Sequence, residues 1–327
     1  MTREQSDPFF IVGCGRSGTT LLRVMLNRHS ELAIPLESLF LVDYLRADGR
    51  VPIDLLRQLA VREFELSEWG LSVDEESLAG CGNAREIIET LHNLYATRNG
   101  KDRWGQKTPR LVRYGSLLKQ TWPGARFVFM VRDPRAVVAS LTRSNVHRSN
   151  AFYGARRWVR DCEAGLALER SWPESVLRIR YEDLVTDPAA QLEGICRFLD
   201  VPMEPGVLDD KDGSDPAYGS YYDEIHRRVG GAPDAQRADA WRDELAARDI
   251  EVIEAICGET MSRLDYRPSI PKPDPSSGHM LRLRLQRIPG FLGQLAHYIA
   301  RRRPYLTCTL NRKYRLGLLR DLADANY

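Results

Sequence analysis

The sequence predicts an α/β fold: a parallel sheet of the P-loop type flanked by helices, with a helical insert and a basic C-terminal extension. Three observations predict it. Apolar runs at residues 9–12, 126–131 and 176–181 have the length and composition of buried parallel strands, and each precedes a helical pattern. A glycine-rich turn, residues 13–18, joins the first run to the first helix. Residues 276–320 hold ten Lys or Arg and no Asp or Glu.

The elements follow in order. Phe9-Phe10-Ile11-Val12 ends at Gly13, and residues 19–27 read as a helix with Leu21, Leu22, Met25 and Leu26 on one face. Residues 36–99 are helical but broken at Gly49, Pro52 and Gly80 to Gly82, which predicts an inserted helical subdomain at about 38–100. A helix over 110–122 is stopped by Pro123-Gly124. The second strand is 126–131, and Pro134 occupies the first turn of the next helix, where its missing N–H does no harm. A long amphipathic helix over 152–172 leads to the third strand, which ends at Tyr181, and a helix at 191–199 follows. Residues 203–235, rich in Gly, Pro, Asp and Tyr, read as a long loop, and 241–264 are helical again. Pro268, Pro271, Pro273 and Pro275 form a linker. The expected organisation is one domain over 1–268, then a Pro-rich linker and basic tail over 269–327.

Composition narrows the function classes. The 327 residues suffice for one large α/β domain with additions, and 43% hydrophobic with 28% charged residues excludes wholesale disorder. A net charge of +2 gives no global field for nucleic acid, and no nucleic-acid partner is expected. That balance hides an asymmetry, because residues 276–327 carry +8 and the rest −6. The six cysteines are scattered without CxxC or Cys/His clusters, so neither zinc nor another metal is expected, and a reducing cytoplasm is the default compartment. The first ten residues lack the apolar run of a signal peptide. The longest apolar stretch of the tail, 288–300, is too short to span a bilayer and contains Gln294 and His297.

Two constellations carry chemistry. Gly13-Cys14-Gly15-Arg16-Ser17-Gly18-Thr19-Thr20 keeps the phosphate-loop spacing G-x-x-x-x-G-x-[ST], but Thr19 stands where Lys is expected. Curled backbone N–H groups and a helix N-terminus still attract an anion, with Arg16 as the cation. Without the lysine that reaches β- and γ-phosphates, a kinase or ATPase is disfavoured. Arg132 ends a buried strand, and Ser140 lies eight residues on, about two helical turns. Such a pair can bind a second phosphate.

Together these motifs resemble the sulfotransferase family. Trp104-Gly105-Gln106-Lys107-Thr108-Pro109-Arg110 and Arg180-Tyr181-Glu182-Asp183-Leu184 agree with it. The resemblance implies 3′-phosphoadenosine 5′-phosphosulfate (PAPS) as donor. Residues Arg16, Ser17, Gly18, Thr19 and Thr20 would bind its 5′-phosphosulfate, and Arg132 and Ser140 its 3′-phosphate. Tyr181 would lie on the nucleotide's 3′ side, and Arg237 and Trp241 would cover the nucleotide. The loop Arg-Ser-Gly-Thr-Thr, followed by Ala33-Ile34-Pro35-Leu36-Glu37, is similar to the bacterial group related to tyrosylprotein sulfotransferases. That implies Glu37 as catalytic base, with Lys107 and Arg16 bearing the charge of the leaving group and no metal. His29 reads as structural. The acceptor is a carbohydrate, lipid, peptide tyrosine or small natural product, its pocket lined by the insert and residues 145–150. The rival readings are an atypical P-loop kinase and a non-catalytic membrane-surface binding protein. For the basic tail, packing on the acidic body or self-association stands beside peripheral membrane attachment.

Overall fold

A computed structural model of the chain describes residues 7–144, 149–208 and 236–322. Its centre is a five-stranded, all-parallel sheet in the order β2-β3-β1-β4-β5. The strands are β1 (Phe9–Gly13), β2 (Leu32–Ala33), β3 (Arg103–Lys107), β4 (Arg126–Val131) and β5 (Val176–Arg180). In chain order the helices begin with α1 (Thr19–Leu26), α2 (Phe40–Ala47), α3 (Ile53–Ala60), α4 (Phe64–Glu68) and α5 (Ala84–Arg98). Next come α6 (Gly115–Thr121), α7 (Pro134–Thr142), α8 (Ala151–Ser171), α9 (Tyr181–Thr186) and α10 (Pro188–Leu199). Beyond residue 235 lie α11 (Gln236–Asp239), α12 (Trp241–Glu244), α13 (Ala247–Arg263), α14 (Ser277–Leu285), α15 (Arg287–Arg301) and α16 (Arg303–Arg315).

Strand alternation divides the core. Phe10 and Val12 of β1 face one cluster, filled by Trp158 and Cys162 of α8, the insert helices, and Val252, Ile253, Cys257 and Met261 of α13. Phe9 and Ile11 face the other, filled by Leu22, Met25 and Leu26 of α1 and by α9 and α10. A two-residue period on a sheet covered on both faces produces this split.

Sequence and structure differ in four places. There are five strands rather than three. β2 has only two residues, and β3 reads Arg-Trp-Gly-Gln-Lys, so neither offers an apolar run. The expected helix over 110–122 is a 3-10 turn (Pro109–Tyr114) followed by α6. The helical stretch 241–264 is interrupted at Leu245-Ala246, whose backbones are extended. The third strand stops at Arg180, and Tyr181 opens α9. Most of the expected loop, residues 209–235, lies outside the described residues, as do 145–148.

One buried contact joins the sheet's end to the later helices. Arg135, at the start of α7, pairs with Asp133 (2.6 Å) and with Glu254 of α13 (2.7 Å). The backbone N–H groups of Ser269 and Ile270, both at 2.8 Å, donate to the Glu254 carboxylate.

Candidate functional site

The chain leaves β1 toward β2 on one side of the sheet and leaves β4 toward β5 on the other. Neighbouring strands whose connections diverge open a crevice at their C-terminal ends, where ligands bind in open α/β sheets. The glycine-rich turn follows β1 and Arg132 follows β4, so both constellations reach this crevice.

The turn has the backbone it needs. Gly13 and Gly18 have φ of 145° and 87°. A Cβ on Gly13 would stand 2.3 Å from the Met130 carbonyl oxygen, and one on Gly18 would stand 2.4 Å from the Tyr181 ring. Arg16, at φ 75°, is held in the left-handed region, a conformation that costs a non-glycine residue about 1–2 kcal/mol. Such strain is tolerated where the surroundings over-determine it. Ser17 is fully buried, and its Oγ has no hydrogen-bond partner. A buried hydroxyl without a partner inside a curled N–H turn fits an oxyanion ligand.

Arg16 and Arg132 form one cationic pole. Arg16 Nε donates to Ser140 Oγ at 2.9 Å. Arg132 Nη1 donates to the Arg16 carbonyl oxygen at 3.2 Å and Nη2 to that of Arg237 at 2.8 Å. The Arg132 guanidinium lies 4.0 Å from the centroid of the Tyr181 ring. Burial holds both arginines below their ordinary pKa, and for Arg16 the charge of Arg132 adds to it. Trp158 Nε1 donates to the Arg132 carbonyl oxygen at 2.9 Å, fixing the end of β4. The expected pairing of Ser140 with Arg132 is thus relayed through Arg16. Trp241 packs on α7 beside Ala136 and Ala139, with Arg135 over its ring.

The second pole gathers residues from three segments. Lys107 ends β3 and is fully buried. Its Nζ donates to Glu37 Oε1 at 2.5 Å and to Thr20 Oγ1 at 3.2 Å. Burial pushes the Lys107 ammonium below the ordinary lysine pKa, against the pull of Glu37. Glu37 lies in the irregular segment before α2 and is about one-third exposed.

Several supports of this pole were not legible as site residues. Arg23, buried in α1, donates from Nε to the carbonyl oxygens of Ile34 (2.9 Å) and Pro35 (3.1 Å), tying the segment before Glu37 to the loop's own helix. The Ser38 N–H donates to Thr108 Oγ1 at 3.0 Å, so residues next to Glu37 and Lys107 are bonded to each other. Gln106 Nε2 donates to the same Thr108 oxygen at 2.9 Å, and Gln106 Oε1 faces His92 Nε2 at 2.9 Å. Arg157 of α8 also lies at the turn, its Nη2 2.9 Å from where a Cβ on Gly15 would be.

Other carboxylates and imidazoles are committed elsewhere. His29 is buried. Its Nδ1 accepts from the Glu31 N–H at 3.0 Å, and its Nε2 donates to the Pro202 carbonyl oxygen at 2.8 Å, a structural role. Glu182 accepts from the Asp133 N–H (3.0 Å) and the Tyr266 hydroxyl (2.8 Å). Among the described residues the crevice therefore presents two cationic poles, an oxyanion turn, and the carboxylate of Glu37 beside the lysine.

Residues 8–205 match a family model described as "Sulfotransferase family". Protein-tyrosine sulfotransferase A of Caenorhabditis elegans is 30% identical over 222 residues, covering 63% of this chain and 53% of that protein. The protein-tyrosine sulfotransferase of Drosophila melanogaster is 27% identical over 213 residues, covering 61% of this chain and 39% of its own length. The chain thus spans about half or less of the length of these two relatives. Among solved structures, the sulfotransferase domain from the curacin biosynthetic pathway shares the fold, with TM-score 0.58 and 22% identity over 80% of this chain and 98% of that one.

Proposed function

The chain belongs to the sulfotransferase family, and from that premise we propose that it moves a sulfonate from PAPS to an acceptor hydroxyl. The observation that carries the reading is the convergence of Lys107, Glu37 and Thr20 beside the phosphate turn, with Arg132, Arg16 and Ser140 at a second pole. A donor with one phosphate group at each end of its ribose suits two separate cationic poles. The turn from Arg16 to Thr20, with the partnerless Ser17 hydroxyl, would hold the 5′-phosphosulfate. Arg132 and Ser140 would hold the 3′-phosphate, and Tyr181 would wall that side.

The residues then have defined tasks. Glu37 takes the proton of the acceptor hydroxyl as its oxygen bonds to sulfur. The bond from sulfur to the bridging oxygen breaks, and that oxygen leaves with the adenosine bisphosphate. Lys107 donates a hydrogen bond to the charge that grows there, and Arg16, bonded to Ser140 before donor binds, would turn from that pole to join it, in a site where burial makes both effective. Before donor binds, Lys107 is engaged by Glu37. Turning Lys107 to the leaving oxygen releases the carboxylate to act as base, so donor binding and base activation are coupled. Cations and backbone N–H groups bear the charge, and the scheme needs no metal. The kinase reading lacks support: Asp133, the nearest match to a magnesium-holding aspartate, is turned to Arg135.

Among acceptors, a peptide tyrosine is the first to test because the relatives carry that name. Carbohydrate, lipid and small natural-product hydroxyls follow. We read residues 1–268 as the catalytic unit and the cytoplasm as its compartment, on six free thiols. Titration calorimetry with adenosine 3′,5′-bisphosphate, against ATP with magnesium, tests the donor. The bisphosphate is expected to bind more tightly by at least about tenfold, one full charge-assisted contact. Tighter binding of ATP with magnesium would restore the kinase reading.

A further inference from the structure

The C-terminal helices are fastened to the body at both ends. At one end His279 Nε2 meets Asp249 at 2.8 Å, Asn150 Nδ2 donates to the Leu283 carbonyl oxygen at 2.8 Å, and the Tyr153 hydroxyl donates to that of Arg284 at 3.1 Å. At the other, buried Arg312 of α16 binds Asp43 (2.9 Å) and Glu63, and Lys313 binds Asp43 at 2.7 Å. Part of the tail's charge is therefore used on the acidic body, as expected for one of the two readings of this segment.

Between these fastenings the chain turns apolar side chains outward. Ten large hydrophobic residues are exposed among the described residues, and eight of them lie beyond residue 280. On α15, Leu292 (57% exposed), Leu295 and Ile299 (54%) recur at i, i+3 and i+7, which is one helix face. On α14, Leu281 and Leu285 (63%) are one turn apart, with exposed Arg282 and Arg284 to either side of them on the helical wheel. Exposed arginines recur at Arg301, Arg303 and Arg315. No acidic residue stands anywhere between 276 and 320. Scattered exposed leucines need no explanation, but a run of them set among arginines marks an interaction site.

We propose that α14 and α15 form a surface that docks on an anionic membrane, the leucines entering the headgroup layer and the arginines meeting acidic lipids. Charge complementarity selects this occupant. A second copy presenting the same face would bring two strongly basic segments together, whereas an acidic bilayer attracts the exposed arginines of both helices. No helix among the described residues is long and apolar enough to cross a membrane, so the contact lies along the surface. None of its residues is one that the donor reading uses, and the proposal stands whatever the acceptor is.

Sedimentation with vesicles tests it on the full chain. The protein is expected to pellet with phosphatidylcholine vesicles containing phosphatidylserine at low salt. It should stay in solution with phosphatidylcholine alone and be released as salt is raised. Arg282→Ala should weaken partitioning about fivefold. The Leu292→Ser/Ile299→Ser pair should weaken it by roughly tenfold or more. Both variants alter exposed side chains, and unchanged affinity for adenosine 3′,5′-bisphosphate reports that they fold. A chain that stays in the supernatant with anionic vesicles at low salt overturns the proposal. So does binding indifferent to the Leu292→Ser/Ile299→Ser pair, or a concentration-dependent dimer, seen by light scattering, that the pair abolishes without any vesicle binding.

Discussion

Replacing Lys107 by Met separates catalysis from stability in opposite directions. Lys107 is fully buried, and its ammonium sits below the ordinary lysine pKa because loss of hydration outweighs the nearby Glu37 carboxylate. Methionine fills similar volume without a charge to desolvate. Removing one partner of an ion pair is costly when the other charge is left buried, but Glu37 is 36% exposed and water can take the place of Lys107, so the desolvation relieved at Lys107 decides the sign. Thr20 loses a 3.2 Å bond, a small effect at a hydroxyl that water can reach. Catalysis loses its donor to the departing oxygen, worth about 2.7–4 kcal/mol, so kcat should fall about 10²–10³-fold. The assay follows adenosine 3′,5′-bisphosphate release on whichever acceptor the parent enzyme uses, beside thermal unfolding of the same samples. Lys107→Met should be slow and at least as stable as the parent. Activity and melting temperature falling together would show that Lys107 holds the fold, and the leaving-group role would be wrong.

Three further outcomes are expected. Arg132→Ala should weaken adenosine 3′,5′-bisphosphate by roughly 10- to 150-fold, the range of a charge-assisted hydrogen bond. Adenosine 5′-phosphosulfate should be nearly indifferent, and equal losses in calorimetry would mean that Arg132 serves only its backbone contacts to Arg16 and Arg237. Glu37→Gln should cut kcat by about 10²–10⁴-fold while donor affinity holds or rises, because Lys107 no longer has a competing carboxylate; parental turnover would remove Glu37 as base. His92 is buried against Ile88 and Gln106, and burial outweighs both hydrogen bonds to lower its pKa to about 4. The unfolded chain therefore binds this proton first as pH falls from about 6.5, and the native state loses about 2 kcal/mol between pH 7 and 5. Urea unfolding at the two pH values should lose that component in His92→Gln, and an unaltered slope would contradict it.

β1, β4, β5 and the turn were legible because each is a local signal. A four-residue apolar run, glycines at fixed spacing and a helix stripe all lie within twenty residues. β3 was hidden because two of its four buried residues, Gln106 and Lys107, are polar. Gln106 is satisfied by His92 and Thr108, and Lys107 by Glu37 and Thr20, so hydrogen bonds rather than hydrophobicity keep the strand inside. The same reason conceals the supports of the site. Ser38 meets Thr108 across 70 residues of sequence, and Arg23 binds carbonyl groups that carry no residue identity. Glu37 and Lys107 could each be singled out through resemblance, but their contact exists only in three dimensions. Tyr181 was assigned to the 3′ side and lies against Arg132, although it opens a helix rather than ending a strand.

The bond between Arg135 and Glu254 bears on where this protein can be cut. The family match stops at residue 205, which suggests a module that could be expressed alone. A chain ended there would keep Arg16, Glu37, Lys107 and Arg132. It would strand the buried Arg135–Asp133 pair without Glu254, and removing one partner of a buried ionic group costs about 3–5 kcal/mol. It would also bare the side of α8 that α13 covers with Val252, Ile253, Cys257 and Met261. A fragment that runs through Ile270 keeps the N–H that caps Glu254, but it still takes Arg312 away from the buried carboxylates of Asp43 and Glu63, so the last helices belong in it as well. Sequence similarity to the family marks out the chemistry of this chain, and it understates the length of polypeptide needed to fold it.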